Sequence, residues 1–390
     1  MTRRRRLAFA VGVCAAVAAV AGARLDSSGA AAAPRVCREW FTDARYRAEI
    51  ERVRPLVPKM KRAFGAPGLS IAIAANGELV WSESCGFADV RTRRRVARTT
   101  QFRIGSVSKP LTAALVARLA QNGTLDVDAD VREYVTAFPR NRPRLTLRQL
   151  AGHLGGIRHY RGTEALNTRH YDSVTRSLSV FVHDPLVAPP GERFHYSSYG
   201  FNLLGAAAET ASGAGYAAAL RAHVLQPLRM NATALDGAAR NRTRFYEVTS
   251  TRRAISAPRV DLSDRYPSGG LLSTAEDLVR FGIGVTNAAF VTPPSQSLLF
   301  TTQRTQAGAP TSYGFGFEVG DSPVGLVAGH TGNVVGGTAF VLIHPKTRVV
   351  VALTTNIGFV TAASPPDLRG APEPPELAMP FIRSVSNAKE

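Results

Sequence analysis

The chain has 390 residues, of which 45% are hydrophobic and 20% are charged. This composition is typical of a globular protein with a buried core and excludes an intrinsically disordered chain. The formal net charge of +19 comes almost entirely from arginine, since only five lysines occur. The arginines are scattered and do not alternate with aromatic residues, so we predict a solvated basic surface and no nucleic-acid partner.

The N-terminus has the pattern of a targeting segment. Residues 1–6 are cationic, residues 7–20 are apolar, and a small-residue cleavage site follows at 21–23. This pattern predicts a secretory signal peptide over 1–23, followed by a linker over 24–40. Uncleaved, the apolar run would be a marginal membrane anchor, because a spanning helix needs about 20 apolar residues. We therefore expect a periplasmic, secreted or membrane-anchored protein. The lack of acidic residues before Asp26 leaves a mitochondrial leader as the alternative.

The cysteines and histidines give no sign of a metal site. Cys14 lies in the leader, which leaves Cys37 and Cys85 either as a disulfide or as two free thiols. Neither paired-cysteine spacing nor a His-Glu-x-x-His motif occurs. We predict no metal and no cofactor.

The first part of the chain predicts a helix, a hairpin and a second helix. Apolar residues at helical spacing favour a helix over 43–64, which Pro55 and Pro58 would kink or split. The pair Asn76-Gly77 separates two strand-like runs, 69–75 and 78–84, and is typical of a tight hairpin turn. Residues 107–121 form a regular helical pattern that ends at Gly123.

The rest of the chain changes from helical to strand-like patterns. Short helical segments interrupted by glycine and proline occupy 142–229, and Ser273 to Glu276 predicts a capping box that starts another helix. Strand-like runs follow at 313–318, 324–328, 338–343 and 349–355, and a last amphipathic helix covers 375–385.

This order predicts an α+β fold. Strands from both ends of the chain most simply meet in one antiparallel sheet flanked by helices, with a mostly helical subdomain inserted between them. We place the catalytic domain at 41–390, with its sheet part at about 41–105 and 273–390 and its helical part at about 106–272. A cleft between the two parts is the natural site for chemistry.

Ser106-Val-Ser-Lys109 begins the helix of residues 107–121. A serine and a lysine three residues apart project from the same face of a helix, and the helix N-terminus favours a developing alkoxide. A desolvated lysine could accept the serine proton, so Ser106 is the predicted nucleophile and Lys109 its partner. The same spacing recurs at Ser386 and Lys389, without an apolar run behind it, and there we interpret it as coincidence.

Tyr196-Ser-Ser198 follows a rigid Pro-Pro-Gly turn and precedes a helical run. A tyrosine close to a lysine can relay protons, so Tyr196 is the third predicted catalytic residue and Ser198 a predicted substrate-binding residue. Tyr171 and Tyr266 have a serine at the same spacing but lack this context.

His330-Thr-Gly332 lies at the edge of a strand-like run and precedes Asn333. A cation or donor at His330, a hydroxyl at Thr331 and close backbone approach at Gly332 would suit a substrate carboxylate or carbonyl. The backbone N–H groups of Asn333 and Ser106 could then form an oxyanion hole.

The three motifs in this order resemble those of serine beta-lactamases and penicillin-binding proteins, in particular the class C beta-lactamase and D-alanyl-D-alanine peptidase superfamily. The resemblance extends over roughly residues 66–358 and includes 65–69, 102–109, 123–128, 227–230 and 269–277. Residues 156–160, 183–185 and 194–200 are most similar to the branch of mitochondrial serine beta-lactamase-like proteins. The resemblance implies a beta-lactamase-like fold, and for that branch a peptidase activity and an animal member that forms filaments.

Two motif positions depart from the family pattern. Ser198 stands where asparagine is usual, and His330 stands where beta-lactamases have lysine. We therefore expect acyl transfer through Ser106 on a small peptide, ester or beta-lactam-like substrate, with weak or no beta-lactamase activity. The alternative is a penicillin-binding or filament-forming scaffold without turnover. Membrane association through the N-terminal segment and self-association are further expectations.

Overall fold

The computed structural model describes residues 37–238, 241–249, 253–359 and 372–388. The predicted signal peptide at 1–23 lies outside the described residues, as does most of the predicted linker. The strands are β1 (Cys37–Thr42), β2 (Gly68–Ala75), β3 (Glu78–Asp89), β4 (Arg94–Arg95), β5 (Phe102–Arg103), β6 (Ala234–Leu235), β7 (Tyr246–Val248), β8 (Ala254–Ser256), β9 (Leu271–Ser273), β10 (Glu318–Ser322), β11 (Gly325–Val334), β12 (Gly337–His344), β13 (Val349–Thr355) and β14 (Ile357–Gly358). The α-helices are α1 (Arg47–Val53), α2 (Leu56–Ala63), α3 (Ser108–Gln121), α4 (Leu147–Ala151), α5 (Val174–Ser177), α6 (Ser198–Ser212), α7 (Tyr216–Leu220), α8 (Tyr266–Gly269), α9 (Ala275–Val285), α10 (Pro293–Phe300) and α11 (Pro374–Asn387).

The main sheet joins the two ends of the described chain. Its strands follow the order β1-β3-β2-β13-β12-β11-β10, and every neighbouring pair is antiparallel. Strand β2, from the first part of the chain, pairs directly with β13, from the last part. Helices α3 to α8 lie between these parts in sequence. The predicted fold class is confirmed.

Alternation along β13 explains how the sheet separates two hydrophobic cores. Val349, Val351 and Leu353 pack on one face, in a core that includes residues of α1, α2 and α11. Val350 and Ala352 pack on the other face, in a larger core that includes residues of α3, α6 and α9. Successive side chains of a strand point to opposite faces, so a strand covered on both faces is apolar along most of its length. All seven residues of β13 are buried.

The hairpin between β2 and β3 forms as the Asn-Gly pair predicts. Asn76 has a φ of 52° and Gly77 a φ of 81°, the positive values that a type I′ turn requires. The turn sets the register of the two longest paired strands in the first part of the chain.

Three element boundaries differ from the sequence prediction. The helix predicted over 43–64 is two α-helices, α1 and α2, because the helix is interrupted at the residue before Pro55. Helix α9 is capped by Thr274, whose hydroxyl accepts the Asp277 N–H, whereas Ser273 ends strand β9 and forms no capping box. The predicted strand at 313–318 is mostly irregular, and β10 begins only at Glu318.

Cys37 and Cys85 are joined by a disulfide that connects β1 to β3. Of the two alternatives that the sequence left open, the structure contains the bonded one. Among the described residues, no helix combines the length and the apolar character needed to cross a bilayer.

Candidate active site

The predicted nucleophile lies on a turn that leads into a buried helix. Residues Gly105–Val107 form one turn of 3₁₀ helix immediately before α3. Ser106 is partly exposed, whereas its neighbours Gly105 and Val107 are buried. The Leu271 N–H on β9 donates to the Ser108 hydroxyl at 3.3 Å and so ties this turn to the small sheet behind it. The turn therefore presents one hydroxyl at the surface of a rigid element.

Lys109 is fully buried, and its ammonium nitrogen has three oxygen partners. Its Nζ lies 2.9 Å from Ser106 Oγ, 3.2 Å from Ser198 Oγ and 2.8 Å from the carbonyl oxygen of Ser268. No carboxylate is among these partners, and burial places the pKa of Lys109 well below its usual value, although the charge of Glu318 opposes the shift. A neutral amine satisfies all three contacts if it donates two protons and accepts the Ser106 hydroxyl proton.

Tyr196 approaches Ser106 from the other side. Its hydroxyl donates to Ser106 Oγ at 2.9 Å, and Lys109 Nζ lies 4.8 Å from the centre of its ring. Burial raises the pKa of Tyr196 above its usual value, so the side chain is a phenol and not a phenolate. The Gly200 N–H donates to the Ser197 hydroxyl at 2.9 Å, which caps α6 directly after Tyr196.

A buried histidine supports the Tyr196 ring from behind. The ring centre of His153 lies 4.3 Å from that of Tyr196 and 4.5 Å from that of Tyr313. Its Nδ1 accepts the Ser197 N–H at 3.1 Å, and burial places its pKa well below the usual range, so it is neutral. We assign His153 a positioning role.

Ser198 lies behind Lys109 and away from the solvent. It is buried, and its hydroxyl accepts from Lys109. Its backbone N–H donates to His159 Nδ1 at 3.2 Å, so the neutral His159 ring carries its proton on Nε2. Burial lowers the pKa of His159 to about 4, which keeps the ring neutral at pH 7. The His159 side chain is partly exposed, whereas Ser198 is buried.

His330 is held by protein groups on both ring nitrogens. Its Nδ1 lies 2.5 Å from the Thr331 carbonyl oxygen, which can only accept, so this nitrogen carries the proton. Its Nε2 lies 2.8 Å from the Tyr313 hydroxyl and therefore accepts from it. Burial, together with the nearby charge of Lys109, lowers the pKa of His330 to about 3. The ring is uncharged at neutral pH, and both of its nitrogens are already engaged.

A carboxylate outside the three sequence motifs, that of Glu318, lies beside the third motif. The Thr331 hydroxyl donates to Glu318 Oε1 at 3.2 Å, and His330 Nδ1 lies 3.6 Å from the same oxygen. Burial raises the pKa of Glu318 to about 7, although hydrogen bonds from Thr331 and the charge of Lys109 act in the opposite direction. No described lysine or arginine lies within 4.0 Å of its carboxylate.

The third motif touches the nucleophile turn through its backbone. A Cβ at Gly332 would lie 2.1 Å from the Ile104 carbonyl oxygen and 3.0 Å from the Ser106 nitrogen. A Cβ at Gly105, whose φ is 51°, would lie 2.9 Å from the Asn333 nitrogen. Only glycine permits this approach, and it places the Ser106 and Asn333 backbones side by side.

The structure thus brings most of the predicted residues together. Ser106, Lys109, Tyr196 and Ser198 form one connected hydrogen-bonded set, and Thr331, Gly332 and Asn333 line the opposite edge. Ser386, the coincidental match, lies in α11 on the other face of the sheet. No sequence motif predicted Glu318, Tyr313, His153 or the role of the Ser268 carbonyl. No local motif marks them, since each reaches the site through strand pairing or packing between distant segments.

Comparison with known proteins identifies the family. Residues 54–369 match the sequence profile of the family described as Beta-lactamase. The chain belongs to this family. The serine beta-lactamase-like protein LACTB, mitochondrial, of Homo sapiens is 31% identical over 60% of this chain and 56% of that protein. Protein flp of Staphylococcus aureus strain N315 is 26% identical over 75% of this chain and 60% of that protein. This member of the family thus matches less than two thirds of the length of either relative.

Solved structures share the same fold. The octameric penicillin-binding protein homologue from Pyrococcus abyssi superposes with a TM-score of 0.70 at 24% identity, covering 86% of this chain and 77% of that chain. The D-amino acid amidase from Ochrobactrum anthropi SV3, in complex with L-phenylalanine amide, also gives a TM-score of 0.70, at 19% identity over 86% of this chain and all of that chain. At these identities the two structures establish the fold of this Beta-lactamase family member, which is common to penicillin-binding proteins and amidases.

Proposed function

We propose that this protein is a serine hydrolase that cleaves an amide or an ester through an acyl-enzyme on Ser106. The observation that supports this most directly is a pair of distances: Lys109 Nζ and the Tyr196 hydroxyl each lie 2.9 Å from Ser106 Oγ. A nucleophilic hydroxyl, a buried amine and a phenol within hydrogen-bond reach of one another are the parts that acyl transfer needs.

Lys109 acts as the general base of the acylation step. Ser106 Oγ attacks the substrate carbonyl carbon, and its proton passes to the neutral Lys109 Nζ. The amine is suited to this because burial keeps its pKa low and no carboxylate forms an ion pair with it. The new oxyanion accepts hydrogen bonds from the backbone N–H groups of Ser106 and Asn333.

Tyr196 donates a proton to the leaving group. Its pKa lies above the usual value, so it holds its proton at neutral pH and can release it as the carbon–nitrogen or carbon–oxygen bond breaks. The Lys109 ammonium then returns its proton to the Tyr196 phenolate, which restores both groups. Water then attacks the carbonyl of the acyl-enzyme with the same proton transfers. This step frees the acid and restores the Ser106 hydroxyl.

Peptidase-like or esterase activity is favoured over beta-lactamase activity. At the third motif the neutral His330 replaces the lysine that beta-lactamases use, and at the second motif Ser198 is buried against Lys109. Neither position offers a fixed positive charge or an amide to a beta-lactam. Acylation by a beta-lactam, if observed, is therefore expected to be slow.

Labelling of the nucleophile tests the assignment. A fluorophosphonate should attach stoichiometrically to Ser106, as read by mass spectrometry of the intact protein and its peptides. Hydrolysis of D- and L-terminal peptides, small esters and a chromogenic cephalosporin should fall by at least about 10⁴-fold in Ser106→Ala. The matched control is Ser386→Ala, which removes the serine of the other Ser-x-x-Lys and should retain labelling and turnover. Absence of labelling at Ser106 would favour the non-turnover scaffold instead.

The disulfide supports export of the protein. Structural disulfides persist in oxidising compartments such as the periplasm or the extracellular space, and Cys37 is bonded to Cys85. Mitochondrial location remains the alternative, because the human relative is named as mitochondrial. Sequencing the N-terminus of the mature protein from its host would distinguish cleavage near residue 23 from other processing.

A further inference from the structure

The mechanism above makes no use of Glu318, although this carboxylate lies inside the site. Glu318 begins β10, pairs with Gly329 of β11 and contacts the Thr331 hydroxyl at 3.2 Å. Its side chain is 23% exposed, so it is mostly buried but still accessible to solvent. It is therefore buried enough to lose hydration and open enough to meet a ligand.

No charged protein group compensates Glu318 directly. Among the described residues, the groups facing it are His330 on β11, Lys109 on α3, and the phenols Tyr196 and Tyr313. His330 is neutral, because its protonated nitrogen donates to the Thr331 carbonyl and its other nitrogen accepts from Tyr313. Lys109 donates to Ser268 and Ser198 and does not reach the carboxylate. A carboxylate held without a cation in a partly buried site is costly unless a ligand supplies the positive charge.

Glu318 is connected to the Ser106 turn through Thr331 and Gly332. Thr331, its hydrogen-bond donor, directly precedes Gly332, and a Cβ at Gly332 would lie 3.0 Å from the Ser106 nitrogen. A group bound by Glu318 would therefore lie beside the strand whose backbone contacts the Ser106 turn. The α-amine of an aminoacyl group is attached to the carbon next to the scissile carbonyl and carries the positive charge that suits this position.

We propose that Glu318 binds the ammonium group of the substrate, so that the enzyme prefers amides and esters with a free amine next to the scissile carbonyl. A substrate carboxylate in the same place would lie beside the Glu318 carboxylate without a lysine to bind it, so substrates of that kind are disfavoured. This inference rests on the proposed function and names its substrate class: aminoacyl amides, esters and peptides with a free amino terminus. An ammonium bound there completes the hydrogen bonds of Glu318 and supplies the missing positive charge.

Matched substrates and matched probes test this specificity. The substrates are the p-nitroanilides of D- and L-alanine, with the amine free, N-acetylated or N-succinylated. The probes are the diphenyl phosphonate analogues of alanine, with the amine free or acetylated, whose attachment at Ser106 is followed by mass spectrometry and needs no turnover. Assays at pH about 7.5 keep both the carboxylate and a good part of the amine charged.

The variants are Glu318→Gln and, as the control, Asp321→Asn. Asp321 lies on the same strand but is exposed to solvent. In the wild-type protein the free-amine compounds should react faster than the acetylated ones, and the succinylated ones should be slowest. Glu318→Gln should lower the ratio of free-amine to acetylated rates by about tenfold or more, since a hydrogen bond to a charged group is lost. Asp321→Asn should leave that ratio unchanged.

The outcomes separate this inference from the proposed function. If the acetylated compounds react as fast as the free amines, or if Glu318→Gln leaves the ratio unchanged, the ammonium subsite is wrong and the serine hydrolase stands. If no phosphonate attaches to Ser106, both are wrong. A purely structural role of Glu318 would lower all rates together and keep the ratio, which also overturns the inference.

Discussion

The proposed active site has two walls that are built in different ways. One wall is formed by the start of α3 and the residues just before α6. There Lys109 Nζ and the Tyr196 hydroxyl each lie 2.9 Å from Ser106 Oγ. The other wall is carried by β10 and β11, where Glu318 and His330 meet through strand pairing. In the proposed mechanism the first wall holds the reacting groups, and the second holds Glu318, whose charge we propose selects the ligand.

The difference between the walls is electrostatic as well as topological. On the helical wall burial lowers the pKa of Lys109, which favours the neutral amine that can act as a base. On the strand wall His330 is neutral, whereas the pKa of Glu318 is raised to about 7, so Glu318 carries a negative charge above that pH. Chemistry common to a family can therefore be kept on one wall while the other changes the class of substrate.

The largest expected effect is on the helical wall, from Lys109→Met. Methionine fills a similar volume in the buried site but cannot accept the Ser106 proton, so kcat/KM should fall by about 10³-fold or more. Wild-type activity should rise with pH, because Lys109 is the base only when deprotonated, and its lowered pKa brings that rise below the range of an ordinary lysine. The variant should lose this rise. The measurement is the pH profile of hydrolysis of an ester without an amine.

The Glu318→Gln background serves as the control for that profile. Glu318 also ionises near pH 7. If the increase in rate with pH disappears in Glu318→Gln but not in Lys109→Met, ionisation of Glu318 causes that increase. If Lys109→Met keeps the limb and most of the activity, Lys109 is not the base.

The next effect tests the junction between the walls. Gly332→Ala places a Cβ 2.1 Å from the Ile104 carbonyl oxygen, so β11 must move away from the Ser106 turn. A displacement of about 1 Å of one wall should lower the rate of Ser106 acylation by about 100-fold. The measurement is the rate of fluorophosphonate labelling, together with the far-ultraviolet circular dichroism of the variant.

Gly215→Ala is the matched control for that substitution. Gly215 has a φ of −58° and no atom within 4 Å of an added Cβ, so alanine fits there without strain. Equal labelling rates in Gly332→Ala and Gly215→Ala would show that the close approach of β11 to Ser106 has no part in acylation.

The helical wall could be predicted from sequence, and the strand wall only in part. Ser106 and Lys109 are one helical turn apart, so local geometry alone brings them together. The Asn76-Gly77 turn is equally local, and the fold class follows from the order of strand-like and helical segments along the chain. Glu318 reaches Thr331 only through the β10–β11 register, which begins where the sequence pattern predicted the end of a strand. Its neighbour His330 was expected to offer a cation or a donor, but which partners a ring nitrogen meets depends on packing that no short motif records.

The smallest expected effect concerns stability and measures the cost of keeping Glu318. Burial raises its pKa from an ordinary value near 4.5 to about 7, so the folded protein holds this proton more tightly than the unfolded chain does. The resulting stabilisation is fully present below pH 4.5 and is lost as the pH rises through about 7. In Glu318→Gln, which does not ionise, this loss is absent. The difference in unfolding free energy, variant minus wild type, should therefore increase by about 1–3 kcal/mol between pH 4.5 and pH 8. The range allows for the partial solvent exposure of Glu318.

Urea unfolding of both proteins at the two pH values, without reductant, measures this gain. Taking the difference between variant and wild type removes the titration of all other groups, and Asp321→Asn gives the baseline for an exposed acid on the same strand. A gain equal to that baseline would mean that Glu318 is solvated like a surface carboxylate and needs no ligand charge. A larger gain means that the folded protein keeps an uncompensated carboxylate beside its nucleophile at the expense of stability, which is the expected signature of a residue retained for binding.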